Sequence, residues 1–129
     1  LTTTIARTPG RNIWRTPMIT ATDIAKSKAA ADSLYQSGFT IVGWDAEWYF
    51  THDSLKLKQT AEEMFQQVDS LISHQKTKTP GHIVLLTHDQ SFADSTDASH
   101  LQKFMRLVKT REEYGVEFVS RYPGLKTSQ

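Results

Sequence analysis

The apolar run HIVLLTHD ends in His88 and Asp89, and a histidine is the side chain whose ordinary titration range best suits proton transfer near neutral pH. The segment GWDAEW supplies two carboxylates, Asp45 and Glu47, and Arg7 follows the run TTTIA. A carboxylate can hold an imidazole in one orientation, and an arginine can hold a carboxylate. These residue types together suit general acid–base catalysis.

The elements that must position these residues are predicted strands alternating with helices. Runs of apolar and β-branched residues predict strands over residues 2–6, 39–44, 83–87 and 116–119. Apolar stripes with three- and four-residue steps predict helices over residues 23–36, 57–74 and 97–115. This alternation is typical of an α/β fold with parallel strands and right-handed crossovers, and continuous apolar strands fit a sheet covered on both faces.

The candidate residues follow the strands of this predicted sheet. The carboxyl ends of parallel strands open on one side, where functional residues of α/β folds collect. We therefore expect Arg7, an acidic residue from the second strand and His88 to meet at one opening. The aromatic residues Trp48 and Phe50 lie close to these charges in the sequence, and aromatic faces suit sugar rings.

Each candidate also has an ordinary structural interpretation. His88 could be a loop or capping residue, and Asp45 and Glu47 could cap helices or face solvent. Arg7 could form an ion pair with either carboxylate without any role in chemistry. The sequence alone leaves these alternatives open.

Composition excludes several classes of function. The 129 residues carry a net charge of +1 and no long block of one sign, which gives no electrostatic case for nucleic-acid binding. The absence of cysteine excludes a disulfide scaffold, a thiol nucleophile and a thiolate metal site. No apolar run approaches the roughly 20 residues of a membrane helix, and patterns of the HExxH, GxGxxG and GxSxG type are absent.

Three segments taken in order resemble the polysaccharide deacetylases, the metal-dependent carbohydrate esterases of family four. RTPG is similar to the family's R-x-P-Y motif, GWDAEW to its acidic segment with a tryptophan, and IVLLTHD to its closing Leu-x-His motif. The resemblance implies a distorted (β/α) barrel, of which residues 1–129 would be the C-terminal half. It also implies removal of acetyl groups from an N-acetylated polysaccharide such as chitin or peptidoglycan.

The resemblance assigns roles to the charged residues. His88 would be the general acid that protonates the leaving amine, and its imidazole would be oriented by Asp45 or Glu47. Arg7 would hold the carboxylate that serves as the general base. The acidic segment is shorter than the common D-x-x-D-W form of the family, so the choice between the two orienting carboxylates stays open.

The resemblance also assigns residues that would contact the substrate. Trp48 and Leu86 would line the small pocket for the acetyl methyl group. Gly10 stands where the family has a tyrosine, and its backbone N–H would stabilise the oxyanion as the tyrosine's does.

Two motifs of the family do not occur in this sequence. These are the Asp-Asp motif, which carries the base and a metal-binding aspartate, and the H-S/T-x-x-H motif, which carries two metal-binding histidines. We therefore expect this chain to contain no metal ligand. The divalent metal, which we expect to be zinc, would be held by residues upstream of it. The chain begins with Leu1 rather than Met. Its expected partners are the N-terminal half of the domain and the polysaccharide. Its expected location is outside the cell or in its envelope.

Two other interpretations are compatible with the sequence. One is a carbohydrate-binding or scaffold protein that has kept the deacetylase fold and lost the chemistry. The other is a small, independent flavodoxin-like domain that acts as a binding module. The flavodoxin-like interpretation would need acidic or phosphate-binding residues after the first strand, and TTTIARTPG supplies neither.

Overall fold

The computed structural model describes residues 4–54, 56–92 and 95–125, which form a mixed α/β structure with parallel and antiparallel strands. The elements in chain order are β1 (Thr4–Ala6), β2 (Trp14–Arg15), β3 (Thr20–Ala21), α1 (Lys28–Gln36), β4 (Phe39–Ile41), β5 (Ala46–Glu47), α2 (Ala61–Ser73), β6 (Leu85–Leu86) and α3 (Ser95–Lys109). The chain divides into two compact units, Leu1–Trp44 with Glu117–Gln129, and Asp45–Val116.

The first unit contains a four-stranded sheet in the order β1-β4-β2-β3. The β1 and β4 strands pair in parallel, as predicted, whereas β2 is antiparallel to both of its neighbours, β4 and β3. The prediction of parallel strands alone is therefore wrong. The hairpin between β2 and β3 turns at Thr16–Ile19, where the backbone groups of Thr16 and Ile19 bond each other and the Thr16 hydroxyl accepts from the Ile19 N–H.

A buried arginine ties this hairpin to the helix beside it. Arg15 is 2% exposed, and its guanidinium donates to the backbone oxygens of Trp14 and Ala21, each at 2.8 Å. It also donates to the Thr22 hydroxyl at 2.7 Å and to the Asp32 carboxylate of α1 at 2.8 Å. These contacts satisfy the guanidinium N–H groups, which burial would otherwise leave unpaired.

Helix α1 starts later than predicted and ends at Gln36 as predicted. The Asp23 carboxylate accepts from the backbone N–H groups of Asn12 and Ile24, so it fastens the preceding loop instead of capping an α-helix. A short 3₁₀ turn, Ala25–Ser27, then leads into α1. The helix packs through Ala31 in the small core of the first unit, together with Ile13 and Ile41.

The second unit has the order β5-α2-β6-α3, with β5 and β6 paired in parallel. The predicted strand over residues 39–44 ends at Ile41, in β4, and β5 is a separate strand outside that prediction. Helix α2 begins at Ala61, although the apolar stripe predicts a start near Leu57. Thr60 forms a capping box with Glu63, which begins the helix at this point. Leu57 instead pairs with Phe50 in an isolated antiparallel bridge.

The core of the second unit lies between the two strands and the two helices. Its fully or nearly buried side chains are Ala46, Trp48, Ala61, Met64, Val68 and Phe104. The α2 and α3 residues of this set fall on the apolar stripes of the sequence, so the helix faces are oriented as the sequence predicts. None of the helices in the described residues has the length and hydrophobicity that crossing a membrane requires.

Helix α3 begins at Ser95 and ends at Lys109, several residues before Gly115. The side chain of Asp97, where the prediction starts this helix, lies outside what the structure describes. At the other end, the Thr110 hydroxyl donates to the Leu107 carbonyl at 2.6 Å. The Tyr114 hydroxyl beyond it donates to the Asp69 carboxylate of α2, and this bond raises the pKa of Tyr114. The chain therefore leaves the helix to fasten onto α2.

The predicted strand over residues 116–119 is wrong. The segment has no strand partner among the described residues, and Val119–Arg121 forms a 3₁₀ turn. Val116 and Phe118 are 73% and 77% exposed. A β-branched and aromatic composition favours a strand only where a neighbouring strand supplies hydrogen bonds and cover, and here neither is present.

Replacing Arg15 by alanine should lower the free energy of unfolding by roughly 2–4 kcal/mol, because two backbone oxygens and a hydroxyl lose a buried donor. Urea unfolding followed by circular dichroism would measure the loss. Arg11→Ala is the matched control, since Arg11 is half-exposed and lies 3.9 Å from its partner Asp23. Such a surface pair contributes about 1 kcal/mol or less. Equal losses in the two variants would contradict the role given to Arg15.

Acid should weaken the first unit through Asp32. Hydrogen bonds from Lys28 and then from Arg15 lower the pKa of the Asp32 carboxyl. A depressed pKa stabilises the folded state above the unfolded-state pKa of about 4, and this stabilisation is lost as the pH falls through the lower folded-state pKa. The stability difference between the wild type and Asp32→Asn should therefore be constant near neutral pH and shrink below about pH 4. Urea titrations from pH 7 to pH 2.5 would test this, and a difference that stays constant would contradict it.

Candidate functional site

The structure brings two of the predicted residues together in the second unit. His88 Nε2 lies 3.5 Å from Glu47 Oε2, with the two side chains 30% and 19% exposed. At this separation the carboxylate forms an ion pair with the imidazole whenever the imidazole is protonated. A partly buried imidazole–carboxylate pair that solvent can still reach is an arrangement able to give and take a proton.

Pairing between β5 and β6 places these two side chains. In the parallel register Ala46 is opposite Leu85 and Glu47 is opposite Leu86. The Trp48 N–H donates to the Leu86 carbonyl at 2.9 Å, which extends the ladder past the ends of both strands. His88 follows two residues after Leu86, so both members of the pair leave the sheet at the same end.

The Asp45 carboxylate contacts the backbone of the segment that leads into β6. It accepts from two backbone N–H groups, those of Lys78 and Val84, each at 2.8 Å. The Asp45 N–H donates to the Val84 carbonyl at 2.8 Å, so Asp45 and Val84 exchange hydrogen bonds in both directions. Asp45 thus fastens the start of β6 to the start of β5, and Glu47 is the carboxylate beside the imidazole.

Phe50 forms one wall of the pair. Its ring centroid lies 5.3 Å from that of His88 at an interplanar angle of 65°, an edge-to-face contact. The ring of His52 lies 5.1 Å from Phe50 in turn. The imidazole of His88 is therefore held by a carboxylate on one side and an aromatic ring on another.

The two predicted pocket residues of this unit lie deeper. Trp48 is fully buried, its ring centroid is 5.4 Å from those of Phe92 and Phe104, and its indole N–H donates to the Gln59 carbonyl at 2.8 Å. Leu86 is half-buried in β6, opposite Glu47. Their predicted role beside an acetyl group stays a prediction.

Arg7 and Gly10 belong to the first unit. Both follow β1, and Arg7 is exposed. Gly10 has a φ of 67°, the left-handed region that favours glycine, and space around its Cα is open. A tyrosine at this position would have a strained backbone, which gives a physical reason for the departure from the R-x-P-Y motif. The roles of Arg7 and Gly10 in chemistry stay predictions.

No group of three or more acidic or histidine side chains within residues 4–54, 56–92 and 95–125 could hold a metal ion. The expectation of a divalent metal held by residues upstream of this chain stays a prediction. An open cleft of about 390 Å³ lies in the first unit, at Arg11, Ile13, Lys26 and Ala31, and none of the predicted site residues lines it.

The sequence points to Asp45 and Phe50 but not to the contacts that they make, and it does not point to Gln59. The Asp45 contacts join residues 33 and 39 positions apart, and no motif encodes such separations. Gln59 contacts the backbone of Glu47 and Tyr49 and was absent from the prediction altogether. Phe50 was noted only as an aromatic residue near charges. The one usable signal for Gln59 is its place just before Thr60, which starts the capping-box pattern T-x-x-E.

No protein-family model matches the chain, and no curated protein matches it either. The similarity of the three segments to deacetylase motifs therefore stays a hypothesis, and the geometry of the site has to be interpreted by its own chemistry.

Replacing Asp45 by asparagine should detach the start of β6 from β5. The amide has one oxygen to accept hydrogen bonds, so either the Lys78 or the Val84 N–H loses its acceptor, at a cost of about 1–3 kcal/mol. Asp53→Asn is the matched control, because the Asp53 carboxylate lies in an exposed loop and accepts, among the described residues, from the adjacent Ser54 N–H. Urea unfolding of both variants would measure the difference. An Asp45→Asn variant as stable as the control would contradict the role given to Asp45 in joining β6 to β5.

Proposed function

We propose that this protein is a hydrolase that removes N-acetyl groups from a polysaccharide, with His88 as its general acid and Glu47 as the carboxylate that orients His88. The observation that carries the proposal is the separation of 3.5 Å between His88 Nε2 and Glu47 Oε2 at the common end of two parallel strands. The ordered resemblance of RTPG, GWDAEW and IVLLTHD to deacetylase motifs supports the same reaction.

The chemistry explains why such a pair is needed. Hydrolysis of an acetamide breaks the bond between the carbonyl carbon and the sugar nitrogen, and an amine leaves readily only if the nitrogen is protonated first. An oriented imidazolium can supply that proton, and a neighbouring carboxylate stabilises the ion in a partly buried site. The products are acetate and a free amino sugar.

Glu47 is the better choice for the orienting carboxylate. The Asp45 oxygens each accept a backbone N–H, whereas a Glu47 oxygen faces the imidazole. In this proposal the two acidic residues of GWDAEW have separate tasks. Asp45 fixes the strand that leads to His88, and Glu47 fixes the His88 ring.

The proposal leaves other steps to residues outside the described set. None of the described residues forms a group that could hold a metal ion, so no step involving a metal is derived for this chain. Arg7, Gly10, Leu86 and Trp48 keep the roles that the resemblance gives them, as parts of the proposal. The substrate class is an N-acetylated polysaccharide such as chitin or peptidoglycan, and the proposed location is outside the cell or in its envelope.

The test uses the full-length protein and measures acetate released from N-acetylated chito-oligosaccharides and from peptidoglycan. His88→Ala should lower kcat by about 10²–10⁴-fold, the usual contribution of a general acid or base, while the content of bound metal stays that of the wild type. Glu47→Gln keeps the size of the side chain and removes its charge, so kcat should fall in that variant too.

The matched control is His74→Ala. His74 is an exposed histidine at the end of α2, and within the part of the chain that the structure describes its ring bonds to Ser70 of its own helix. Its loss should leave turnover unchanged. Wild-type turnover in His88→Ala would remove His88 from the mechanism. Sugar binding without acetate release by the wild type would favour the non-catalytic carbohydrate-binding protein instead.

A further inference from the structure

Gln59 lies beside the edge of β5 that faces away from β6. The Tyr49 N–H donates to Gln59 Oε1 at 2.9 Å, and Gln59 Nε2 donates to the Glu47 carbonyl at 3.2 Å. These are the two backbone groups on either side of Trp48 that do not point toward β6. One side-chain amide therefore satisfies both, as the backbone of a neighbouring strand would.

The chain around Gln59 holds that amide in place. Residues 56–58 run antiparallel to residues 49–51, with Lys58 N–H bonded to the Tyr49 carbonyl at 2.9 Å. The Gln59 carbonyl accepts the Trp48 indole N–H at 2.8 Å. The next residue, Thr60, begins α2 through its capping box, so Gln59 sits at a fixed point between an extended segment and a helix start.

Glu47 is thus held from both edges of its strand. On one edge β6 and the Asp45 contacts fix the register, and on the other edge Gln59 binds the Glu47 carbonyl directly. A strand of two residues has few ladder hydrogen bonds of its own, so a bond to its free edge restrains it strongly. Movement of the Glu47 backbone would change the distance from its carboxylate to His88.

We propose that Gln59 is a positioning residue for the Glu47–His88 pair and acts through the backbone of β5. The effect of Gln59 on catalysis rests on the function proposed above, whereas the coupling between Gln59 and the Glu47–His88 pair does not. The alternative is a purely structural hydrogen bond, whose loss would lower stability without a specific effect on the pair. The two are separable, because positioning requires that the effect of changing Gln59 depends on Glu47.

The informative change is Gln59→Glu, which keeps an oxygen for the Tyr49 N–H and turns the donor that faces the Glu47 carbonyl into a second acceptor. Gln66→Glu makes the same chemical change at an exposed position of α2 and is the matched control. Each is made in the wild type and in Glu47→Gln, in full-length protein with ¹⁵N-labelled histidine. The His88 signal is assigned by its disappearance in His88→Gln.

Positioning predicts that Gln59→Glu shifts the His88 imidazole resonances in the wild type and shifts them much less in Glu47→Gln. It also predicts a fall of about tenfold in kcat, the size expected for one lost hydrogen bond, with KM unchanged. Equal shifts in both backgrounds, no shift, or the same shift with Gln66→Glu would overturn the proposal. If Gln59→Glu fails to fold, Gln59→Met, uncharged and of similar length, replaces it with the same expected dependence on Glu47.

The outcome for the reaction is separate. A wild-type protein that releases no acetate but shows the dependence on Glu47 would contradict the proposed function and uphold the coupling. An active wild type whose His88 signal and kcat are unaffected by both Gln59 variants would uphold the function and overturn the coupling.

Discussion

The site of the second unit depends on the hydrogen bonds between Asp45 and the chain that enters β6. One carboxylate accepts from two backbone N–H groups, the exposed one of Lys78 and the partly buried one of Val84, and a reciprocal bond to Val84 completes the contact. Because these bonds fix the register of β5 against β6, they also fix which side chains leave the sheet together. A slip of one residue would turn Glu47 to the opposite face from its present one and separate it from His88.

In the first unit a positively charged side chain binds backbone groups in a similar way. Its strands are also short. Arg15 donates hydrogen bonds to backbone oxygen atoms of the hairpin and joins the hairpin to α1 through Asp32. In both units a charged side chain binds backbone groups of a neighbouring segment where regular ladder bonds are few. Short strands therefore require side-chain contacts that are specific in position, and a substitution at those positions changes the arrangement of the backbone itself.

The sequence predicted features that arise from local patterns. The apolar stripes give all three helices, the end of α1 falls where Gly38 predicts it, and the parallel pairing of β1 with β4 follows from the alternation of elements. Strand β5, and with it the pairing of β5 with β6, lies outside the predicted strand over residues 39–44. The hairpin at β2 and β3 was missed because strands of two residues show no period. The strand predicted at residues 116–119 was wrong because its formation depends on a partner strand, which composition cannot supply.

In the candidate site too, local patterns in the sequence are predictive and contacts between distant residues are not. Residue types and strand ends were enough to select His88 and two candidate carboxylates, but not to choose between the carboxylates. That choice depends on hydrogen bonds between positions more than 30 residues apart. The role of Gln59 could not be predicted for a different reason, because an amide side chain that takes the place of a neighbouring strand has no pattern in the sequence. The arrangement of Arg7 and Gly10 with respect to His88 stays a prediction.

The start of α2 has a consequence for local unfolding. Thr60 caps the helix and Gln59, its neighbour, binds the edge of β5, so fraying of the first helical turn would also release that strand edge. Native-state opening of this kind proceeds in cooperative blocks rather than residue by residue. The amide protons of Tyr49 and Glu63, which lie on different elements, would then exchange with solvent through one shared opening.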